Sequence, residues 1–367
     1  VIPVFEPDLG AAEIEAVAET IRRGEISGSF GSSIPEFERN FASYAGKRFG
    51  AAVSSGTTAL HLAVAAAGIG PGDEVLVSAS TNIATALAAY HNQAVPVPVD
   101  SERETWNLDL ERIPELITER TRAIIPVHLF GHPVDMDALM AVADRFNLVV
   151  IEDCAESHGA TVRGRMSGSF GQMSCFSFYA NKVITTGEGG MILTDDESFD
   201  AKLRLLRNLA FQTPRFFHER AGYNFRMTGM QAAMGLVQLG RIEEIISDKR
   251  RVAARYNKGL ASFEEIQRPA EAPWARNVYW MYAITVRRAE KRDALTAFLA
   301  ASGIETRTFF CPMNLQPFLR RQPGFRDVPC PVAEELWHSG LYLPSSPRLS
   351  DEQIDFICDR VGRFFHG

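Results

Sequence analysis

The sequence contains no uninterrupted apolar stretch long enough to span a bilayer, which leaves no candidate transmembrane helix. Cysteine is scarce. The five residues Cys154, Cys175, Cys311, Cys330 and Cys358 are an odd number with no CxxC pair. A disulfide framework or a zinc site is therefore not expected, and a reducing cytoplasm is. Cys154 and Cys175 read as small buried apolar residues. No signal-peptide pattern is visible. Basic charge is not in excess: 38 Lys and Arg stand against 45 Asp and Glu, a net charge of −7. That balance argues against a nucleic-acid-binding surface spread over the protein, but leaves room for a local basic patch that takes a nucleotide diphosphate. Repeats and low-complexity segments are also absent. What remains is ordinary globular composition, 46% hydrophobic and 23% charged. A chain of 367 residues can bury a large core and hold two domains.

From Gly50 onward short apolar runs alternate with helical patterns. Strands are predicted over 51–53, 74–77, 95–99, 123–127, 148–152, 174–178 and 191–193, with helices over 58–67, 83–91 and 136–146 between several of them. This alternation predicts a largely parallel sheet covered on both faces. Ahead of it lie a helix over 11–22 with Ile14, Val17 and Ile21 on one face, a turn at Ile26-Ser27-Gly28-Ser29, and a helix over 34–44 with Pro35 in its first turn. Beyond the sheet come a helix over 199–208, an irregular stretch over 210–222, and a long helix from Gln231 through Ile245 to Lys249-Arg250-Arg251. The last third predicts a strand over 279–286, a helix over 291–302 ended by Gly303, a short strand over 305–308 and a closing helix over 351–365. The expected division is a large domain over 1–245, including an N-terminal segment 1–25, and a small α+β domain over 246–367.

Three stretches carry chemistry. In the first, the strand-like run Ser174–Phe178 leads through a polar turn to Lys182, then to Thr185, Thr186 and the glycines 187, 189 and 190. A lysine between apolar strands is desolvated, which lowers its pKa and makes the amine a nucleophile toward carbonyls. The glycines let the backbone pass close to a flat aldehyde cofactor. Read alone, Lys182 is equally an ordinary turn lysine. In the second, Leu148-Val149-Val150-Ile151 runs into Glu152 and Asp153. Ligands bind outside the carboxyl ends of strands in open α/β sheets. A carboxylate there suits a protonated pyridinium nitrogen, or it caps the next helix. In the third, Val53-Ser54-Ser55-Gly56-Thr57-Thr58 opens an alanine-rich helix whose free N–H groups form a phosphate site or a plain cap. Taken in chain order, phosphate cup, carboxylate and lysine follow the order of a pyridoxal phosphate (PLP) site.

With these residues in place, the sequence resembles the PLP-dependent sugar aminotransferases of the DegT/DnrJ/EryC1/StrS family, essentially end to end. The motifs are Ser55-Gly56-Thr57, Glu152-Asp153-Cys154-Ala155-Glu156, Ser177 with Lys182, Gly187-Glu188-Gly189-Gly190, and Tyr223-Asn224-Phe225-Arg226-Met227. The resemblance implies a fold-type-I α/β architecture. Its large domain is built on a mostly parallel seven-stranded sheet with one antiparallel strand, and a small α+β C-terminal domain follows. Lys182 is implied to hold PLP covalently and Asp153 to pair with the ring nitrogen. Gly56 and Thr57 are implied to take the phosphate together with Ser177. Glu156 is implied to sit beside the phenolic oxygen, where the family often has Gln. Asn224 matches an asparagine that the family contributes from the neighbouring subunit, which implies a homodimer or higher assembly with shared sites. Substrate contacts are expected among Ser27, His218, Arg220, Arg226, Arg307 and Phe309, the arginines because a guanidinium forks onto a diphosphate or carboxylate. The aromatic cluster of Trp274, Tyr279, Trp280 and Tyr282 reads as core. One position departs from the family: Asn82 follows Thr81 where an aromatic residue usually stacks on the cofactor ring.

The stretch Asn181–Gly190 most resembles the GDP-perosamine synthases, which aminate a 4-keto nucleotide sugar. The implied reaction moves an amino group from L-glutamate to a nucleotide-linked 4-keto-6-deoxy sugar, with the cofactor alternating between PLP and pyridoxamine phosphate (PMP). Three alternatives stand beside it. One is amination of a UDP- or dTDP-linked keto sugar at C3 or C4, or of a cyclitol. Another is a PLP-dependent sugar dehydratase, although related dehydratases carry histidine at the lysine position. The last is a silent binding protein, which would be expected to lose the lysine, the carboxylate or the phosphate cup.

Overall fold

In the computed structural model, which describes residues 1–367, seven of the apolar runs lie side by side. They are β1 (Phe49–Val53), β2 (Glu74–Ser78), β3 (Val95–Val99), β4 (Thr121–Ile125), β5 (Val149–Asp153), β6 (Met173–Ser177) and β7 (Gly190–Thr194). Their order across the sheet is β1-β7-β6-β5-β4-β2-β3. β7 runs antiparallel to both β1 and β6, and the remaining pairs are parallel. This is the expected mostly parallel sheet with one antiparallel strand. β2, β3, β6 and β7 are buried along their whole length, so they read as continuous apolar runs rather than alternating ones. β3 is one of the two edge strands, with the sequence Val-Pro-Val-Pro-Val. Proline cannot donate to a ladder and is tolerated at an edge, where it also discourages further strand addition. β4 ends two residues before the predicted run does, at Pro126.

Around the sheet, the helices α1 (Ala11–Arg22), α2 (Ser33–Ala45), α3 (Gly56–Ala66) and α4 (Ala84–His91) form close to where the periodicity puts them. α3 starts at a capping box: Ser55 Oγ accepts the Thr58 N–H at 3.1 Å and Thr58 Oγ1 accepts the Ser55 N–H at 3.0 Å. The predicted apolar face of α1 is only partly covered by this chain: Val17 is half-buried, but its two isoleucines are not. Ile14 is 71% exposed and Ile21 55%. The buried side carries Glu13 and Thr20 instead. Glu13 accepts the Gly10 N–H and the Gln238 amide, which offsets the cost of burying a carboxylate.

The predicted long helix is two helices, Gly229–Gly240 and Ile242–Gly259, which meet at Arg241. There the backbone leaves the helical region (ψ 6°) and the guanidinium reaches Asp8 at 2.7 Å and Glu13 at 3.4 Å. Residue 246 lies inside the second helix. Beyond it, β8 (Ile266–Gln267), β9 (Tyr282–Val286), β10 (Arg307–Thr308) and β11 (Gly340–Leu343) form an antiparallel sheet in the order β8-β9-β11-β10. β9 begins three residues later than the pattern predicts, after Tyr279 has turned the chain with a φ of +48°. The first residues of the chain join this sheet's neighbourhood: Ile2 donates to the Gly303 carbonyl and accepts from the Glu305 N–H. No helix is long and apolar enough to cross a membrane.

Candidate active site

Six of the residues singled out in the sequence, Gly56, Thr57, Asp153, Glu156, Ser177 and Lys182, line one cavity of about 350 Å³. The fold brings them together because β1, β5 and β6 all end there, at the carboxyl edge of the sheet. The spacing is tight. A Cβ on Gly56 would stand 2.6 Å from Ser177 Cβ, and one on Gly190 would stand 2.4 Å from the Ser55 carbonyl oxygen. Side chains at either glycine would push α3 off the sheet. At the start of α3, Ser55 takes the Thr58 and Ala59 N–H groups. The N–H groups of Gly56 and Thr57 remain at the positive end of the helix.

Asp153 closes β5 and is 4% exposed. Its Oδ2 accepts the Thr85 hydroxyl at 2.8 Å and its Oδ1 the Ala155 N–H at 3.1 Å. Burial pushes its carboxyl up, against these two bonds and the charge of Lys182. The neighbouring Glu152 faces the other side of the sheet. It accepts the N–H groups of Gly168, Phe170 and Gly171 at 2.7–2.8 Å and faces His128 Nε2 at 3.3 Å. His128 Nδ1 accepts the Val134 N–H, so Nε2 carries the proton and donates to Glu152. Burial works against the Glu152 anion, yet His128 and the backbone donors hold its carboxyl below the usual range. Glu152 thus anchors the loop beside the site, and Asp153 alone faces the cavity.

Lys182 Nζ lies 4.0 Å from Glu156 Oε1 and 4.0 Å from the centre of the Trp280 ring. Burial pulls the amine's pKa down, opposed by Glu156 and Asp153. Burial pushes the Glu156 carboxyl up to about 7, opposed by Lys182 and by the Phe130 N–H that Oε2 accepts at 2.8 Å. His158 is packed among Phe41, Phe176 and Phe178 and is driven down to about 3, by burial first and the charge of Lys182 second. It is neutral.

The remaining predicted residues lie apart from this cavity. Asn224, His218 and Arg220 are exposed, and Ser27 is half-buried. Arg226 donates to Asn208 Oδ1 at 2.8 Å. None of these five lines the cavity of its own chain. Arg307 is exposed and donates to the Thr306 carbonyl, outside the cavity lining. Phe309 corrects the sequence reading: it is 2% exposed and packs on Trp106 and Phe130. Phe310, on the opposite face of the extended chain, lines the cavity instead.

Several cavity residues were not singled out as site residues. Asn181, Tyr179, Phe310 and Tyr342 line it. Thr85 supports Asp153, and Thr81 Oγ1 lies 3.1 Å from the Thr85 hydroxyl; their i, i+4 spacing at a helix start was the available signal. Trp280 is core, at 3% exposure, and also part of the cavity wall. Asn82 does line the cavity, with its Oδ1 capping α4 through the Ala84 N–H at 3.0 Å.

Comparison with known proteins follows the same lines. A GDP-perosamine synthase of Caulobacter vibrioides is 44% identical to this chain, over 97% of this chain and 96% of that one. A GDP-perosamine synthase of Escherichia coli O157:H7 is 40% identical, over 99% and 98%. Spr1654 of Streptococcus pneumoniae has been solved in a PLP-form (TM-score 0.92, 30% identity, 98% and 97% covered) and a PMP-form (TM-score 0.93, 29% identity, 99% of each chain covered). The model of the DegT/DnrJ/EryC1/StrS aminotransferase family matches residues 7–362, and the chain belongs to that family.

Proposed function

We propose that this protein transfers an amino group from L-glutamate to the 4-keto carbon of a nucleotide-linked 4-keto-6-deoxy sugar, with PLP as its cofactor. The observation that carries the reading is the meeting of Gly56, Thr57, Asp153, Glu156, Ser177 and Lys182 on one cavity. The donor set suits the cofactor. A helix N-terminus with two free N–H groups and the Ser177 hydroxyl suit a phosphate. A buried carboxylate held by Thr85 suits a pyridinium N–H, whose charge would offset the burial of Asp153. A desolvated amine suits an aldehyde.

When bound, PLP supplies an electron sink that allows an amino group to pass between two carbon skeletons. Lys182 would hold the cofactor covalently, and its amine would carry the proton to and from the substrate carbon. Asp153 would keep the ring nitrogen protonated. Burial pushes the Glu156 carboxyl up, which favours the protonated form that would offer an O–H to the phenolic oxygen without repelling it. The GDP-linked sugar is favoured by the two perosamine synthases above, each covered almost end to end.

The assembly is a homodimer or larger, with Asn224 and the stretch from His218 to Arg226 reaching the partner's cavity. Asn224 is exposed and lies off its own cavity. Ile14, Ile21, Ile26, Phe30, Phe216 and Phe217 are exposed apolar residues that a second copy would cover.

The test is spectroscopic. Protein carrying PLP is yellow; L-glutamate should bleach it and GDP-4-keto-6-deoxymannose should restore the colour, with UDP- and dTDP-linked 4-keto sugars compared alongside. Restoration by one of those instead moves the substrate assignment. A protein that PLP cannot colour, or a Lys182→Ala variant that turns over normally, removes the mechanism.

A further inference from the structure

Trp280 belongs to the small sheet's leading segment, yet its strongest contacts are with the lysine turn of the large sheet. The indole Nε1–H donates to the Asn181 carbonyl at 2.7 Å. The face of the same ring stands 4.0 Å from Lys182 Nζ. One side chain therefore grips the backbone just before the lysine and the lysine's amine together. At 3% exposure the Asn181 bond satisfies the buried indole N–H and fixes the ring's orientation as well as its place.

The contacts close into a circuit. Lys182 Nζ faces Glu156 Oε1 at 4.0 Å, and Glu156 Oε2 accepts the Phe130 N–H at 2.8 Å. Phe130 has a φ of +53°, a conformation that bulky residues rarely adopt. Its ring lies at 10° to the indole, with centroids 6.3 Å apart. The next residue, Gly131, has a φ of +100°, and a Cβ there would stand 2.7 Å from the Trp280 backbone nitrogen. The Phe130 turn is thus wedged between Glu156 on one side and the Trp280 backbone on the other. Between them, Glu156 and Trp280 present two electron-rich surfaces to a single amine.

We propose that Trp280 is a positioning residue for Lys182, holding the amine at Glu156 through its ring face and its bond to Asn181, and thereby setting the pH at which the amine reacts with an aldehyde. The proposal rests on the reading of Lys182 as the residue that captures PLP. A cation is attracted to the face of an indole, so the ring favours the charged amine, as Glu156 and Asp153 do. Burial acts against all three. The other titratable groups around the amine are His158, which is neutral, and Glu188, Tyr179 and Tyr342 in the cavity wall. Removing the ring therefore leaves the amine deprotonated at a lower pH.

The experiment uses the full chain stripped of cofactor. PLP is added and the rate at which the protein-bound absorbance appears is followed from acid to alkaline pH. Trp280→Leu should move the midpoint of this profile down by about one pH unit. Trp280→Phe keeps a ring face but cannot bond the Asn181 carbonyl; it should move the midpoint less and slow capture at every pH. A folded Trp280→Leu with a lowered Tm and an unmoved midpoint would make Trp280 a packing residue only. Should that variant fail to fold, Trp280→Phe decides: an unchanged rate and midpoint overturn the proposal. Wild-type protein that captures no PLP would instead overturn the assignment of Lys182, a separate outcome.

Discussion

Lys249 should weaken this protein more the lower the pH, because folding either buries its charge or strips its proton. It sits in the helix Ile242–Gly259 and is 2% exposed. Its Nζ has one hydrogen-bond acceptor, the Ser345 carbonyl at 2.8 Å, and a Phe5 ring at 5.1 Å. No carboxylate pairs with it, and burial lowers its pKa from 10.5 to about 7. Between these two values the unfolded chain binds more protons than the folded one, so stability rises with pH across that window. The penalty is complete below pH ~7 and gone above pH ~10.5; at pH 6 it is on the order of 4 kcal/mol. Lys249→Met removes it, but leaves the Ser345 carbonyl without its donor, a cost of about 2 kcal/mol. The variant should therefore be more stable than the parent by roughly 2 kcal/mol at pH 6, with the gap closing near pH 9. Thermal unfolding of both proteins across this range checks it. A Tm difference that does not change with pH, or a variant less stable at pH 6, refutes the reasoning.

Asp153→Asn keeps an acceptor for Thr85 but removes the anion facing the cavity. PLP should still colour the protein, while bleaching by L-glutamate slows by about 100-fold or more in stopped-flow absorbance. Gly56→Ala places a Cβ 2.6 Å from Ser177 Cβ, and absorbance titration should show PLP affinity weakened by about tenfold, or ~1.4 kcal/mol. Glu38 is buried and accepts from Arg204, Arg207 and the Ala52 N–H. Glu38→Ala leaves Arg207 without its carboxylate and the Ala52 N–H without its acceptor, while Arg204 keeps Asp200 at 2.8 Å, and should cost about 3 kcal/mol in denaturant unfolding.

The fold-type-I sheet and the residues at its carboxyl edge were legible because each is written into a short stretch of chain. A buried strand that stops at hydroxyls and a glycine, or at two carboxyls, can be read without knowing its neighbours. What was illegible depended on which way a chain segment faces once another segment packs on it. Phe309 and Phe310 differ by one residue in an extended chain, which sends one into the core and the other into the cavity. Trp280 looked like core as one of an aromatic cluster with Trp274, Tyr279 and Tyr282, and it is core. Its second role arises because Tyr279 and Phe130 both hold left-handed backbone conformations that no pattern of hydrophobicity encodes. The amphipathic stripe of α1 is the converse case. Periodicity states that Ile14 and Ile21 want a partner, and this chain gives its own interior to Glu13 and Thr20 instead. If Ile14 and Ile21 are covered by a second copy, as the shared-site proposal has it, the periodicity of α1 records a contact that lies outside this chain's own core.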